Sequence, residues 1–318
     1  MIDVEELARK SAVKKLEFRT QLLTPLFTHG WQKTQQVNGK TRNTPIAAET
    51  RVPSLRGVLR YWWRAVQNEN DANRLLEEES KIFGGSSGTS GNKSPVAFKM
   101  TNLSSKNQIS LRPHRNETSV LAIPANAQTI VVEMMYTPLE NAPTMDYYRA
   151  VMELFFCLGS MGQRSRRGTG ALQYEGFRWN SVADFQASLR NVLSDLGVKE
   201  QFEFPGVQGE GLVLSLAANR HAYSRPRLIN VWVGKNYNTA EDVREAISRA
   251  ASTHNGGKNK MLGSAVGGRL ASPLWCTVRK IGNGYRPVIS ELASPNMGRN
   301  DYLSVRNQFL EDLGVKRP

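Results

Sequence analysis

Thr144-Met-Asp-Tyr-Tyr-Arg-Ala-Val-Met-Glu-Leu-Phe-Phe-Cys-Leu158 runs without a break into Gly159-Ser-Met-Gly-Gln-Arg-Ser-Arg-Arg-Gly-Thr-Gly170. Thr144 is a residue type that caps helices, and Asp146 in the first turn suits the positive end of a helix dipole. Tyr147, Val151, Leu154, Phe155 and Leu158 recur at helical spacing, which predicts a helix buried along one stripe. Thr129 to Tyr136 before it, with Val132, Met134 and Tyr136 on one face, and Ala171 to Trp179 after it read as strands. The loop itself combines Gly159, Gly162, Gly168 and Gly170, which permit positive φ and close backbone approach, with Arg164, Arg166 and Arg167 and no nearby acid. Backbone donors and fixed positive charge together suit a row of phosphates. A solvated surface loop has the same composition, and the loop alone leaves both readings open. It is not a nucleoside-triphosphate loop, because no Lys-Ser or Lys-Thr follows its glycines and a helix precedes it. Gly168-Thr-Gly170 lacks the third glycine of a dinucleotide fingerprint.

Working back towards the N-terminus, residues 1 to 15 read as a polar lead-in with helical potential. Leu16, Phe18, Thr20 and Leu22 alternate with Glu17, Arg19 and Gln21, the pattern of a half-buried strand that ends at Thr24-Pro25. Residues 27 to 50 form a long polar connection holding His29, Trp31, Lys33, Lys40 and Arg42, and loops of that length are functional or disordered. Pro53-Ser54 opens a helix, with Ser54 read as its N-cap. Leu55, Leu59, Trp62 and Val66 share one face, and Arg56, Arg60 and Arg64 line the opposite side. With Arg51 there are four arginines and no acid from 51 to 67, so the stripe is read as a polyanion contact rather than a solvated face of mixed sign. Glu77 to Glu79 read as a solvated helix end, and residues 77 to 94 as a flexible segment. Pro95 to Met100 is expected to pair with Gln108 to Leu111 as a hairpin, before a basic turn at Arg112-Pro-His114-Arg115.

The order strand, helix, hairpin, strand, helix, strand is read as the βαββαβ pattern of a ferredoxin-like domain with an elaborated hairpin over residues 1–180. Residues 181–318 give a second, smaller α+β unit of similar order: a helix over 181 to 197, strands at 212 to 216 and 228 to 233, a helix capped by Thr239, strands at 274 to 278 and 288 to 292, and a terminal helix. Between them Gly256-Gly-Lys-Asn-Lys260 and Gly263 to Arg269 make a second glycine-rich basic segment. Leu193-Ser-Asp-Leu-Gly-Val-Lys199 and Leu310-Glu-Asp-Leu-Gly-Val-Lys316 nearly repeat one another, which suits either a duplication or two helix stops of one kind.

The 318 residues carry a formal charge of +14, divided as +8 up to residue 180 and +6 beyond it. A chain this basic attracts polyanions at long range. Cys157 and Cys276 read as buried free thiols, giving no disulfide framework and no CxxC metal site, as expected of a reducing, cytoplasmic setting. The N-terminal residues carry acids where a signal peptide carries bases, and no apolar run reaches membrane-spanning length. His29, His114, His221 and His254 show no zinc-site spacing. His29, in the long loop after the first strand, is the one candidate for acid–base work. No cofactor motif and no paired carboxylates are present.

Arg51-Val-Pro-Ser-Leu-Arg-Gly-Val-Leu-Arg-Tyr-Trp-Trp-Arg-Ala65, Gly162 to Gly170 and Gly268-Arg-Leu-Ala-Ser-Pro-Leu274, with the Thr24-Pro-Leu-Phe strand end, resemble the RAMP superfamily of CRISPR proteins. More narrowly they resemble its Cmr (type III-B) effector branch. The resemblance implies two tandem ferredoxin-like, RRM-like domains with insertions. It also implies a subunit near the 3′ end of a guide RNA, with guide RNA, target RNA and other Cmr subunits as partners. The expectation is therefore a non-catalytic RNA-binding protein. Its phosphate contacts would be Arg51, Arg56, Arg60, Arg64, Arg164, Arg166, Arg167 and Arg269, with Gly162, Gly168 and Gly170 approaching the backbone. Replacing Gly168 or Gly170 by Val would then impair RNA binding without unfolding the chain. Two alternatives stand beside it: a metal-independent endoribonuclease using His29, and a purely architectural subunit docking through residues 27 to 50.

Overall fold

The computed structural model describes residues 13–87, 90–115, 119–125, 128–139, 142–207, 209–217, 225–255, 260–264 and 270–315. Residues 1–12 of the polar lead-in, His221, Gly256 to Asn259 and Arg269 lie outside them.

Strand β1 (Lys14–Leu22) has the alternation its sequence announces: Phe18, Thr20 and Leu22 are buried, and Glu17, Arg19 and Gln21 are exposed. It is followed by helices α1 (Val52–Val66) and α2 (Ala72–Phe83), then by β2 (Val96–Met100), β3 (Thr129–Tyr136), helix α3 (Met145–Leu158) and β4 (Leu172–Tyr174). The sheet order is β4-β1-β3-β2, antiparallel throughout. The expected pairing of 95–100 with 108–111 does not occur. β2 pairs with β3, and Gln108–Ser110 pairs instead with Ser119–Leu121.

Three further expectations are corrected. Ser54 is not the cap of α1: the helix begins at Val52 after Arg51, because Pro53 lacks an N–H and its fixed φ fits the first turn. The segment from 77 onward is not a free linker. Residues 77 to 83 are the second half of α2, capped by Asp71, whose carboxyl is held below the usual range by bonds from the Arg74 and Asn73 N–H groups. A small hairpin, Gly85–Ser87 with Ser90–Asn92, follows. The 27 to 50 connection is not a loop throughout either. Gln32–Val37 and Lys40–Pro45 form an exposed hairpin whose Asn38-Gly39 turn takes positive φ at both residues (51° and 71°), as the tightest hairpin turns require.

The second half contributes helix α4 (Val182–Asp195), strands β5 (Phe202–Glu203), β6 (Gly211–Leu216) and β7 (Leu228–Val233), helix α5 (Ala240–His254), strands β8 (Leu274–Ile281) and β9 (Gly284–Leu292), and helix α6 (Tyr302–Asp312). Its sheet order is β5-β6-β7-β9-β8. Thr239 and Asp242 form a reciprocal capping box at the start of α5. The near-repeated heptad is two helix stops. Gly197 and Gly314 have φ of 69° and 70°, and Val198 and Val315 each donate back to the carbonyl five residues earlier. One hydrophobic core runs from α1 and α3 through Phe185 and Leu189 of α4 to Val213, Val231 and Leu292, so the two sheets share it. A second core lies between sheet two and helices α5 and α6.

The halves are joined at edge strand β8, and the glycine loop is the joint. Gly168 N–H donates to Cys276 O (2.9 Å) and Cys276 N–H to Arg166 O (3.2 Å), which extends the edge by a parallel bridge. Arg279, wholly buried on β8, turns its guanidinium onto the last turn of α3. It donates to Cys157 O (3.1 Å), Phe155 O (3.3 Å) and Gly159 O (2.5 Å). Arg225 does the same for α1, donating to Arg64 O and Gln67 O (each 2.7 Å) and to Glu69 O (2.8 Å). Burial lowers the pKa of both arginines, the mark of charge removed from water.

Replacing Arg279 by Leu strips donors from buried carbonyls, each of which costs roughly 1–3 kcal/mol when unpaired. A loss of about 3 kcal/mol in urea unfolding is expected on that basis, with Arg279→Lys recovering part of it. Gly170 has φ 64°, and a Cβ there would lie 2.1 Å from Met161 O. Gly170→Val should therefore yield little soluble, folded protein in a far-UV dichroism and expression comparison, which reverses the expectation of an intact fold.

Candidate nucleic-acid interface

The glycine loop buries its backbone in the chain itself. Met161 N–H donates to Gly170 O, Gln163 N–H to Phe27 O and Gly170 N–H to Pro25 O. A Cβ on Gly162 would meet Phe27 O at 2.7 Å, and one on Gly168 would meet Ile247 Cδ1 at 3.0 Å. The close approach that the glycines permit is thus to neighbouring protein segments.

The loop arginines divide. Arg166 lies between the rings of Tyr61 (5.1 Å) and Trp275 (4.9 Å) and donates to Tyr61 Oη and Ser272 O, so it acts as a rivet between the halves. Arg167 Nη2 donates to Leu262 O at 2.6 Å, while its Nη1 is buried with no hydrogen bond among the described residues. Burial lowers its pKa. Arg164 has the left-handed φ of 57°, unusual for a residue with a side chain.

All three line one groove of about 650 Å³ between the halves. Arg112, His114 and Arg115 form one wall, Ser248, Ser252 and Asn255 of α5 another, and Lys260 to Ser264 and Leu270 to Ser272 a third. Among the described residues the lining holds five arginines, one lysine and one histidine, and no carboxylate. His114 Nδ1 is 2.8 Å from Ser248 Oγ, and Arg115 donates to Ser252 Oγ at 3.0 Å. The pKa of His114 is lowered, first by burial and then by Arg115, Arg164, Arg112 and Arg249. The groove therefore carries a strong positive potential. The basic turn at 112 to 115 was visible as an acid-free cluster, but nothing in sequence spacing shows that it faces the glycine loop.

The helix arginines lie elsewhere and have protein partners. Glu79 of α2, only 3% exposed, accepts from Arg60 (3.0 Å) and Arg64 (2.6 Å). Arg56 and Arg60 also donate to Phe83 O. Glu79 is thus a buried counter-ion rather than part of a solvated helix end. Arg51 donates to His29 O at 2.8 Å and lies 3.5 Å from Glu49. His29 Nε2 is 2.9 Å from Leu121 O, which fixes it as the donor in that pair and holds the ring to the backbone. No group of three His, Cys, Asp or Glu that could hold a metal ion occurs among the described residues. No helix among them is long and apolar enough to cross a membrane. Cys157 and Cys276 are buried free thiols, and burial pushes both pKa values up.

A sequence model of the RAMP superfamily matches residues 21–173. Over 282 residues the chain is 28% identical to CRISPR system Cmr subunit Cmr1-1 of Pyrococcus furiosus, covering 76% of this chain and 79% of that relative. The crystal structure of Cmr1 from Pyrococcus furiosus in its apo form superposes with a TM-score of 0.55 at 18% identity over 88% of each chain. A chain of the type III-B Cmr-beta complex bound to cognate target RNA, solved by cryo-electron microscopy, gives 0.56 at 11% identity over 95% of this chain and 99% of that one. These structural likenesses bear on the mixed α/β fold, which the chain shares with Cmr1. With the family match running from β1 to β4 and the Cmr1 relative matching most of the chain, the chain is similar to RAMP-superfamily CRISPR proteins and, among them, to subunit one of the Cmr (type III-B) complex.

Proposed function

We propose that the chain is a non-catalytic RNA-binding subunit of a type III-B Cmr effector complex, holding an RNA backbone in the arginine groove between its halves. The observation that carries this is a groove between the halves whose lining gathers six permanently cationic side chains. A phosphate backbone is attracted to such a concentration of positive charge and releases counter-ions when it binds. In this reading the sheet-one unit, residues 1–180, and the sheet-two unit, residues 181–318, are tandem ferredoxin-like domains. The split βαβ crossing in each supports that division. The partners are the other Cmr subunits in the cytoplasm, with guide and target RNA engaged near the guide's 3′ end. Base pairing to the guide supplies the specificity, and the groove positions the strand. Arg60 and Arg64 serve Glu79, and the phosphate contacts fall to Arg112, Arg115, Arg164 and Lys260. For an endoribonuclease, His29 lacks any acid–base partner among the described residues.

The joint variant Arg115→Ala with Lys260→Ala should weaken binding to all single-stranded RNA sequences alike. It should also flatten the log–log salt dependence by about two units, one per lost phosphate contact. The RNA should be recovered uncleaved in EDTA from the same filter-binding assay; an unchanged slope or discrete cleavage would count against the reading.

His114 supplies a second check. Its pKa is depressed in the free protein and rises when a polyanion offsets the surrounding arginines, so binding takes up a proton. Affinity measured by anisotropy should increase as pH falls from about 7.5 to about 6, through the ordinary histidine range. His114→Ala should remove that pH dependence while leaving the binding seen at the upper pH.

A further inference from the structure

A second crevice, about 420 Å³, lies on the other side of the joint and is lined from both halves. Tyr174, Phe177 and Trp179 form its aromatic wall. Phe177 stacks on Trp179 with centroids 4.9 Å apart and an interplanar angle of 27°, and it stands edge-on to Tyr174 at 5.4 Å. Trp179 is buried and its Nε1 donates to Ser188 Oγ, so the wall is fixed before any ligand arrives. Tyr174 and Phe177 remain half-buried, with apolar ring surface reaching the crevice.

On the rim stand two exposed cations, Arg178 from the first half and Lys280 from the second. Neither makes an ion pair among the described residues. The rim carboxylate, Glu175, is 3.7 Å from Arg19. Gln21 brings an exposed amide to the same space. It also lines a neighbouring crevice of about 460 Å³ that ends on Thr239 and Glu241, at the start of α5. The other end of α5 forms a wall of the arginine groove. Fifteen residues at a helical rise of about 1.5 Å each separate those two ends by roughly 22 Å.

A rigid aromatic wall accepts the face of a flat ring, and two unpaired cations beside it accept a phosphate, so the ligand that uses both is a nucleotide. We propose that the Tyr174–Phe177–Trp179 crevice is a nucleotide subsite: one base stacks on the aromatic wall while its phosphate sits between Arg178 and Lys280. The inference rests on the RNA-binding reading and adds base contact to it. The nucleotide is a unit of the strand that leaves the arginine groove along α5. Stacking tolerates any base, so the subsite does not compete with guide pairing for sequence selection.

The test compares an oligouridylate with an abasic ribose-phosphate strand of the same length, each titrated by fluorescence anisotropy against the full chain at one salt concentration. The wild type should bind the uridylate about tenfold more tightly, within the range that base–aromatic stacking gives. Phe177→Ala should bring the two affinities together. Arg178→Ala with Lys280→Ala, both exposed and expected to leave the fold intact by dichroism, should lower uridylate affinity several-fold. Equal affinities in the wild type would overturn the subsite and leave the groove standing. Were neither strand to bind, the RNA-binding reading itself would fail, and equilibrium dialysis with uridine 5′-monophosphate then decides the pocket. Retention that the Arg178–Lys280 double variant abolishes supports a site for the free nucleotide, and no retention disproves the site.

Discussion

Two guanidinium groups, one wholly buried and one half-buried, each aimed at the carbonyl end of a helix, hold the molecule together. The last turn of an α-helix leaves carbonyls without partners and carries the negative end of the helix dipole. In α3 those carbonyls are met by Arg279, and in α1 by Arg225. Both arginines come from the second half, so the two helices that follow β1 and β3 of the first sheet are completed only when the second sheet docks. A planar guanidinium with five donors in a fixed fork suits this task, which a lysine's single point of charge would perform less well. The shared core through α4 then follows, because it forms between elements whose relative placement the two arginines already set.

The same choice explains why the molecule stays basic at its centre. Carbonyl dipoles satisfy a guanidinium's hydrogen bonds without cancelling its charge. Arg166, Arg167 and Arg279 all cross the joint onto carbonyls, so each adds structure and leaves a net positive charge behind. A joint made of Arg–Glu pairs would hold as well and be neutral. Acids pair arginines elsewhere, as Glu79 does with Arg60 and Arg64 of α1 and Glu291 with Arg306 of α6. Five arginines and Lys260 then meet in the groove between the halves.

Sequence periodicity carried the fold a long way because it reports which face is buried. Phe18, Thr20 and Leu22 in β1 are buried as their spacing requires, whereas α3 is buried well beyond its expected stripe, with Met152, Phe156 and Cys157 also inside, and β2 pairs with β3 instead of forming the expected hairpin. What spacing could not show is who the partner is. Glu79 follows Arg60 by nineteen residues and reaches it only because α2 folds back on α1. The glycines at 162, 168 and 170 announced a close approach; Gly162 meets Phe27 and Gly168 meets α5, both distant in sequence, while Gly170 meets Met161 of its own loop. The Asn38-Gly39 turn was a local signal and readable as a hairpin, but polar strands without an apolar face hid it within the 27 to 50 connection. Arg112, Arg115 and Lys260 were visible as basic residues, and only the fold gathers them into one groove.

Residues that serve both the joint and the groove cannot be read by affinity alone. Arg167 donates to Leu262 O across the joint and also lines the groove, so removing it alters docking and charge together. Arg166 is more extreme, because its position between Tyr61 and Trp275 makes it part of the core contact between α1 and β8. Arg115 and Lys260 differ, since they sit on the wall without closing the core. A polyanion that touches both walls spans the joint and lowers the mutual repulsion of the arginines gathered there. By linkage, whatever strengthens docking of the halves then strengthens binding in the groove, and binding strengthens docking by the same amount. Arginine-to-carbonyl bonding would thus tie the stability of the fold to occupancy of the groove by a polyanion, a coupling that a charge-neutral joint would not provide.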